Sequence, residues 1–583
     1  MKSGYIAKDA KPCMIIVTGE NAPEQVKYAA SELRYYLSLI TTANFEIADK
    51  RTDMPCILLQ RTDNTDLGED GFTLTTEENN LYITGGKRGV IYGAYEFLER
   101  LGCRFFTPYC EKIPASATLE LPTLNEKQVP VLEYREHNYT DAVKHTRFAV
   151  KCRLNGSHHR IREKHGGYIG YAWYVHTFER MVPPELYAKD HPEYYALVNG
   201  KRPVLSGRFQ LCLTNPDVLE ISIQSVRKAL LDNPYARIIS ISQNDWFGNC
   251  QCPTCKKTDE EEGSPSGTLL RFVNAIAEAL EPEFPHILFD TLAYQYTRQA
   301  PKITRPRHNV CVRLCSIECC FSHSFETCND ANRMTRRQDG TYTSFIRDLE
   351  DWGKVSDRLY IWDYTTCFAH YPKPHPNWNV LQPNIQAMVR NNVKGVFEQA
   401  NGAAGGGTDL NELRAYIISK LLWNPYTDVK KHMEEFTDYY YQEAAPYIRE
   451  YIKTLTDKVE KDNIHIGFND HLYTEYLEED MLDIYDKIFD KAEEAVKGNP
   501  LALYRVAKAR LSLRYVRIKR KSMLNGIHDP VEIRDFFTDW QSFGLTRIDE
   551  WVSHQTTHRA LLSRIWRGTQ FYDHWGDEGG EEF

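Results

Sequence analysis

An amide, a carboxylate and an indole follow one another at Asn244, Asp245 and Trp246, directly after a β-branched run at 237–242. A loop rich in cysteine comes next, and a helix is predicted to begin at 264–267. In open α/β sheets and (β/α)8 barrels, such strand ends present the groups that act on a ligand. An amide can orient another amide, a carboxylate can hold a proton and an indole can stack on a sugar ring. The spacing therefore predicts a site suited to carbohydrate chemistry.

Three further carboxylates lie at predicted strand ends: Glu318 in SIECCFSH, Asp363 in IWDYTTC and Glu398 in VFEQANG. A carboxylate in an apolar strand must be solvated or paired, because burying it alone is expensive. Exposure at a barrel mouth satisfies this requirement, and so does an internal ion pair with Arg135 or Arg313. Both interpretations stay open from the sequence.

Glycoside cleavage needs a proton donor and a group that stabilises the positive charge at the anomeric carbon. Some enzymes acting on N-acetyl sugars use the acetamide of the substrate as the nucleophile. For that chemistry we expect Asp245 to be the acid/base and Asn244 or Glu318 to orient the amide. Glu398 and Asp363 are expected to bind sugar hydroxyls. Asn244 and Asp245 also fit an ordinary turn after a strand.

Stacking and hydrogen-bonding side chains follow several of the predicted strands. The predicted substrate-binding residues are His137, Asn155, His176, Trp246, Tyr294, Tyr296, Trp362, Asp363 and His370.

Cys250, Cys252 and Cys255 form a C-x-C-x2-C motif beside the predicted site. A structural zinc is one interpretation, but the sequence does not reveal a fourth ligand. A disulfide with a spare thiol and three separate structural thiols are the alternatives. No cofactor is expected.

Strands alternate with helices in the middle of the chain, which predicts a (β/α)8 barrel. The helices are predicted at 216–232, 265–281, 342–353, 379–391 and 408–423. The strands are predicted at 131–138, 151–156, 209–215, 237–245, 286–296, 309–319, 359–366 and 393–399.

We therefore expect an α/β fold in which a central (β/α)8 TIM barrel lies between two other domains. The predicted domains are an α/β accessory domain (1–125), the barrel (126–425), a helical domain (426–575) and a disordered tail (576–583). Within the helical domain, 427–450, 470–495, 499–522 and 530–568 have helical periodicity. Residues 402–407 are expected to form a flexible loop over the barrel mouth.

The chain has 583 residues, of which 42% are hydrophobic, and a net charge of −9. The dispersed negative charge argues against a nucleic-acid partner. No segment approaches the roughly 18 apolar residues that span a bilayer. The first residues lack the apolar stretch of a signal peptide, so we expect either a cytoplasmic protein or one whose leader has been removed.

Long motifs over roughly 130–425 resemble glycoside hydrolase family 163, formerly a domain of unknown function. They are NDWFGNCQCPTCKKTDEEEGSPSGTLLRFVNAIAEAL, YIWDYTTCFAHYPKPHPNW and VKGVFEQ with its glycine-rich continuation. Residues 12–110 resemble the domain that precedes the barrel in α-glucuronidases and β-hexosaminidases. The resemblance implies an endo-β-N-acetylglucosaminidase that cuts the chitobiose core of complex N-glycans. It also implies a Bacteroidetes enzyme of the periplasm or cell surface, with outer-membrane association through a leader absent here.

Two other interpretations remain. One is an exo-acting β-hexosaminidase or α-glucuronidase-like enzyme, which would cleave a single terminal sugar. The other is a glycan-binding protein without catalysis. The carboxylates at the strand ends favour an enzyme, because binding alone needs mainly aromatic and neutral polar groups.

Overall fold

The computed structural model describes residues 4–205, 207–402, 409–526 and 529–550. The predicted disordered tail, most of the glycine-rich loop and the last part of the predicted 530–568 helix lie outside these ranges.

The N-terminal part of the chain forms a mixed six-stranded sheet with two helices, α1 (Glu24–Thr41) and α2 (Gly89–Arg100). Its strands are β1 (Tyr5–Lys8), β2 (Lys11–Pro12), β3 (Ile15–Val17), β4 (Ile47–Ala48), β5 (Cys56–Arg61), β6 (Phe72–Glu77), β7 (Asn80–Gly85), β8 (Arg104–Thr107), β9 (Cys110–Lys112), β10 (Leu119–Glu120) and β11 (Asn125–Gln128). The main sheet has the order β11-β6-β7-β5-β3-β4. The apolar face of α1 packs into a core that this unit largely forms by itself.

Six parallel strands form the central sheet, in the order β12-β19-β18-β15-β14-β13. They are β12 (Tyr134–His137), β13 (Ile238–Ser240), β14 (Leu288–Ala293), β15 (Val310–Cys315), β18 (Leu359–Tyr364) and β19 (Val393–Gln399), with a small hairpin of β16 (Thr335–Arg336) and β17 (Tyr342–Thr343) inserted after β15.

Irregular chain completes the ring between β12 and β13. The N–H of Asn155 donates to Arg135 O at 3.1 Å, and the N–H of Ile169 donates to Asn155 O at 2.8 Å. The N–H of Ala172 then donates to Ile238 O at 2.8 Å. The sheet thus curls into a barrel with eight chain positions, and the predicted fold class is confirmed.

Two of the eight predicted strands were wrong. Residue 151 of the predicted strand 151–156 belongs to a helix, and the rest of that strand contributes only the irregular position at Asn155. Residues 209–215 form a local bridge between Tyr195 and Leu211 instead of joining the barrel. The third barrel position is taken by 169–173, which contains no charged residue and therefore lacks the polar–apolar alternation by which a strand is recognised in a sequence.

Helices surround the barrel, and all five that the sequence predicts here are present within a few residues. Asn215 caps the longest of them by accepting from the N–H of Asp217 at 2.9 Å. The helices are α3 (Thr140–Lys144), α4 (Thr146–Lys151), α5 (Phe178–Met181), α6 (Pro184–Tyr187), α7 (Pro216–Asp232), α8 (Pro253–Glu262), α9 (Pro265–Leu280), α10 (Phe345–Val355), α11 (Leu381–Arg390) and α12 (Asn411–Trp423).

The C-terminal part of the chain is helical and shares one apolar core with the barrel helices. Its helices are α13 (Val429–Tyr440), α14 (Ala445–Lys461), α15 (Glu479–Ala495), α16 (Pro500–Asn525) and α17 (Pro530–Ser542). The single helix predicted at 427–450 is therefore two helices. Within the described ranges, no helix has both the length and the apolar composition needed to cross a bilayer.

Candidate active site

Successive side chains of a barrel strand point alternately inward and outward, and only the inward ones can reach the mouth. Tyr134, Cys311, Tyr360 and Phe397 pack together inside the barrel. Because side chains of a strand alternate between its two faces, residues two positions further along each strand also point inward. The inward residues at the C-terminal ends are Glu136, Arg313, Trp362 and Gln399.

A buried ion pair forms the floor of the mouth. Arg313 and Asp290 lie 3.2 Å apart, Nε to Oδ2, and both are fully buried. Ser240 donates to Asp290 at 2.8 Å. The guanidinium of Arg313 is surrounded by four tyrosine rings at 5.5–5.9 Å, those of Tyr134, Tyr171, Tyr174 and Tyr360.

Glu136 and His158 form one wall. The imidazole Nδ1 lies 2.9 Å from Glu136 Oε1, and Glu136 is fully buried whereas His158 is 35% exposed. Burial opposes the charge on Glu136, but His158 outweighs it and lowers the pKa of this carboxyl to about 2. Burial also opposes the charge on His158, yet Glu136 raises the pKa of the imidazole. The His158 ring stacks on Phe397 at 5.1 Å.

Asp245 and Tyr294 lie on the opposite wall with Glu318. Tyr294 Oη donates to Asp245 Oδ1 at 3.1 Å, and Gln295 Nε2 lies 3.4 Å from the same oxygen. Burial raises the pKa of Tyr294, and the charges of Asp245 and Glu318 raise it further. Asp245 is thus held beside this tyrosine by a hydrogen bond, and it is exposed.

Glu318 is held by Arg298, whose Nη1 lies 3.1 Å from Glu318 Oε2. The glutamate keeps 30% of its side chain exposed, and Arg298 pairs behind it with the buried Asp348. Burial raises the pKa of Glu318 although the charge of Arg298 opposes this effect. Glu318 is thus an accessible carboxyl whose surroundings favour retention of a proton.

Trp362 lies on the side of the mouth formed by β18 and β19. Its Nε1 donates to Gln399 Oε1 at 2.7 Å, and Gln399 Nε2 donates to Glu550 Oε1 at 3.1 Å. Glu550 therefore lies next to the inward-facing Gln399, and burial raises the pKa of its carboxyl. The indole is partly exposed on this side of the mouth.

The predicted roles of Glu398 and Asp363 at the mouth were wrong. The two residues are partners on adjacent strands, and both lie on the outward face, toward the surrounding helices. Asp363 accepts a hydrogen bond from Ser316, and burial raises its pKa to about 6. Burial and then the charge of Asp363 raise the pKa of Glu398 well above its usual range, and only 1% of this residue is exposed.

The amide of Asn244 is also turned away from the mouth. Its Nδ2 donates to Phe209 O at 2.9 Å and its Oδ1 accepts from the N–H of Glu179 at 3.3 Å. Because both ends of the amide are used by the backbone, the predicted role of orienting an acetamide does not suit this residue. Asn244 instead fixes the loop that continues into Asp245.

Three predicted substrate-binding residues also lie away from the mouth. His137 lies 2.9 Å from Ser419 on α12, and Asn155 bonds backbone groups of β12 and the residue preceding it. His370 lies 2.7 Å from Tyr515 of α16. Tyr296 follows β14 and is partly exposed, and burial and the charge of Asp259 raise its pKa.

His176 and Trp246 lie at the rim. The His176 ring is 6.3 Å from that of Tyr294, and its Nδ1 lies 2.8 Å from Gln243 O. The Trp246 ring lies under the guanidinium of Arg208 at 5.6 Å. Sequence reasoning missed Glu136, Tyr174, Arg298, Gln399 and Glu550 as mouth residues.

Among the residues that the structure describes, two groups of side chains have the composition of metal sites. One consists of Cys212, Cys250, Cys252 and Cys255, so the structure supplies the fourth thiol that the sequence did not reveal. The other consists of Cys320, Cys328 and His465. Neither group contributes to the walls of the mouth.

The fold and the site together define the class of protein. It is an α/β barrel with carboxylates and aromatic rings at the C-terminal ends of its strands. Residues 105–453 match the family described as a domain of unknown function, DUF4838, and this is more than half of the chain. The chain therefore belongs to the DUF4838 family. No curated protein matches it significantly.

Several solved structures with a similar fold are glycoside hydrolases. One is a family GH115 4-O-methyl-α-glucuronidase with specificity for decorated arabinogalactans, with TM-score 0.58 and 12% identity over 92% of this chain and 77% of that one. Another is a family 89 glycoside hydrolase from Clostridium perfringens, with TM-score 0.49 and 10% identity over 88% and 65%. A Streptomyces plicatus β-hexosaminidase gives TM-score 0.41 and 11% identity over 75% and 90%. At such identities, the GH115 similarity establishes a shared fold alone.

Proposed function

We propose that this protein is a glycoside hydrolase whose active site is the C-terminal mouth of the barrel. The observation that carries the proposal is a pair of accessible carboxylates that follow barrel strands on one side of the mouth: Asp245, which accepts a hydrogen bond from Tyr294, and Glu318, which pairs with Arg298. Trp362 adds a partly exposed aromatic surface at the same mouth. Most enzymes that cleave glycosidic bonds use two carboxyl groups that flank the bond.

We assign the acid/base role to Glu318, and this revises the expectation that Asp245 has it. A raised pKa makes a carboxyl a better proton donor, and burial raises the pKa of Glu318 against the opposing charge of Arg298. Asp245, which accepts hydrogen bonds from Tyr294 and Gln295, is suited to accept the N–H of a substrate acetamide. Tyr294 would help to position that group.

The proposed reaction retains anomeric configuration in two steps. Glu318 gives its proton to the glycosidic oxygen while the C1–O bond breaks and the acetamide oxygen bonds to C1. Asp245 stabilises the cationic oxazolinium by accepting its N–H. Water then loses a proton to Glu318 and attacks C1. The bond between C1 and the acetamide oxygen breaks, so the oxazolinium ring opens and the acetamide is regenerated.

The finer proposal is endo-β-N-acetylglucosaminidase action on the chitobiose core of complex N-glycans. It is supported by the resemblance to glycoside hydrolase family 163 and by the aromatic rings on several sides of the barrel mouth, among them those of Tyr174, Tyr294 and Trp362. We further propose that the enzyme acts in the periplasm or at the cell surface, where such glycans arrive. Fractionation that finds the native protein only in the cytoplasm would contradict this location.

The test is mass spectrometry of a complex-type glycoprotein before and after incubation with the protein, beside hydrolysis of nitrophenyl monosaccharides. The endo-enzyme is expected to leave one N-acetylglucosamine on each glycosylation site and to spare the monosaccharides. Release of single terminal sugars would instead identify an exo-acting enzyme. Binding of the glycan without formation of any product would identify a glycan-binding protein without catalytic activity.

A further inference from the structure

Four thiols converge beside the loop that carries Asp245. The Sγ atom of Cys212 lies 3.7 Å from that of Cys252 and 3.9 Å from that of Cys255. Together with Cys250, the four sulfur atoms all lie within 4.8 Å of one another, and all four residues are buried.

The spacing of these sulfur atoms matches tetrahedral metal coordination. Zn–S bonds of about 2.3 Å place two sulfur ligands of a tetrahedron roughly 3.8 Å apart. A disulfide requires about 2.05 Å between sulfur atoms, much less than the two measured distances. Four cysteine ligands in tetrahedral geometry favour zinc among the common metals, with iron as the alternative.

Nearby donors are arranged to stabilise thiolates. The N–H of Leu197 donates to Cys250 Sγ at 3.3 Å, and the N–H of Cys255 lies 3.5 Å from Cys252 Sγ. Thr214 Oγ1 lies 3.1 Å from Cys255 Sγ. Cys252 also caps the N-terminus of α8, where the helix dipole favours negative charge. Hydrogen bonds of this kind are the usual outer shell of a metal site.

We propose that Cys212, Cys250, Cys252 and Cys255 bind one structural zinc ion. All four coordination positions are filled by the protein, so no position remains for a substrate or a reactive water. The ion would cross-link two segments that are far apart in sequence, one ending at Cys212 and the other running from Cys250 to Cys255.

This cross-link would hold the Asp245 loop in place. The N–H of Gln251 donates to Leu197 O at 2.7 Å, so the two segments already pair at the cysteines. Closer to the mouth, Gln210 Nε2 donates to Asn244 O at 2.9 Å and its Oε1 accepts from the N–H of Asn244 at 3.1 Å. The zinc therefore secures the far end of the same loop that Gln210 fixes next to Asp245.

The experiment measures metal content per chain in the purified full-length protein by inductively coupled plasma mass spectrometry. Cys212→Ser and Cys250→Ser are each expected to contain one zinc equivalent less than the wild type. Cys103→Ser, which removes a buried thiol from the accessory unit, is the matched control and should keep the wild-type content. Comparing variants with wild type separates this site from any metal at Cys320, Cys328 and His465.

A second measurement does not depend on the folding of the variants. X-ray absorption at the zinc edge of the wild type should give four sulfur neighbours at about 2.3 Å. Unchanged zinc in both cysteine variants, iron in place of zinc, or disulfides among these four cysteines in a peptide map would each overturn the proposal. None of these outcomes bears on whether the protein cleaves glycans.

Discussion

Two pairs of carboxyl groups occur at the ends of the barrel strands, and they have different surroundings. Asp245 and Glu318 lie at the mouth, where the first is exposed and the second is 30% exposed. Asp363 and Glu398 lie on the outward face of β18 and β19 and are almost completely buried. All four looked alike in the sequence. The face of the strand, rather than its end alone, decides whether a carboxyl can meet a substrate.

Glu318→Gln should have the largest effect on catalysis. Without a proton for the leaving oxygen, kcat on a complex glycopeptide is expected to fall by about 10²–10⁴. A substrate with a good leaving group needs less protonation, so an activated aryl chitobioside should lose much less activity. Equal losses on both substrates, in initial-rate assays, would remove Glu318 from the acid role.

Asp245→Asn should lower kcat by about 10²–10³, a loss typical for a group that stabilises developing charge. Because Asp245 is exposed, the free energy of unfolding should change by no more than about 0.5 kcal/mol. The loss should be similar for natural and activated substrates, in contrast to Glu318→Gln. Near wild-type release of a biantennary glycan by this variant would contradict the assignment. Tyr294→Phe should have a smaller effect in the same direction.

Trp362→Ala should weaken substrate binding more than it slows the reaction. Loss of a stacking surface is worth about 1–2 kcal/mol, which corresponds to roughly 5–30-fold in kcat/KM. Trp362→Phe keeps a ring and should recover most of the activity, since only the hydrogen bond to Gln399 is lost. If both variants have wild-type KM and kcat, the sugar does not stack on this residue.

Glu398→Gln should have the smallest effect on activity, within about threefold, because Glu398 has no part in the chemistry. Its effect on stability should depend on pH. Burial raises the pKa of Glu398, and that of Asp363 to about 6, so folding favours their protonated forms. The contribution of these two groups to the free energy of unfolding of the wild type is greatest below about pH 4. It falls as the pH rises through their pKa values in the folded state.

Because glutamine does not titrate, Glu398→Gln removes part of the loss of stability that occurs as the pH rises. The free energy of unfolding of the variant relative to wild type should therefore increase from pH 4.5 to pH 7.5 in urea titrations. Glu443→Gln, at an exposed position, is the control and should show no such trend. A loss of activity comparable to that of Glu318→Gln would mean that the two carboxyl pairs do not differ as described here.

Most of the fold could be predicted because its elements have strong local signals. The apolar spacing of α1 and the Asn-Pro start of α7 identify these helices from the sequence alone. The barrel positions at Asn155 and 169–173 could not be found, since they rest on a few hydrogen bonds rather than on alternating side chains. The run at 209–215 alternates like a strand but pairs with its own neighbours.

The site was predicted in part for the same physical reason. The sequence reveals that Trp362 and Asp363 lie at a strand end, but not which of them faces inward. Glu136 carried no distinguishing signal, since its strand contains charged or polar residues on both faces. Which residues of a strand face inward can be decided only when one of them, such as Tyr134 or Phe397, is known to lie inside the barrel. Cys212 is 38 residues before Cys250, and only the fold brings them together.

A crystal structure of the Glu318→Gln variant with an uncleaved chitobiose-containing glycopeptide would test the account most directly. We expect the scissile glycosidic oxygen to lie about 3 Å from the side chain of residue 318. The acetamide nitrogen should lie at hydrogen-bond distance from Asp245, with a sugar ring over Trp362. A glycan bound elsewhere, or one whose scissile bond lies beyond the reach of both residue 318 and Asp245, would contradict the proposed active site.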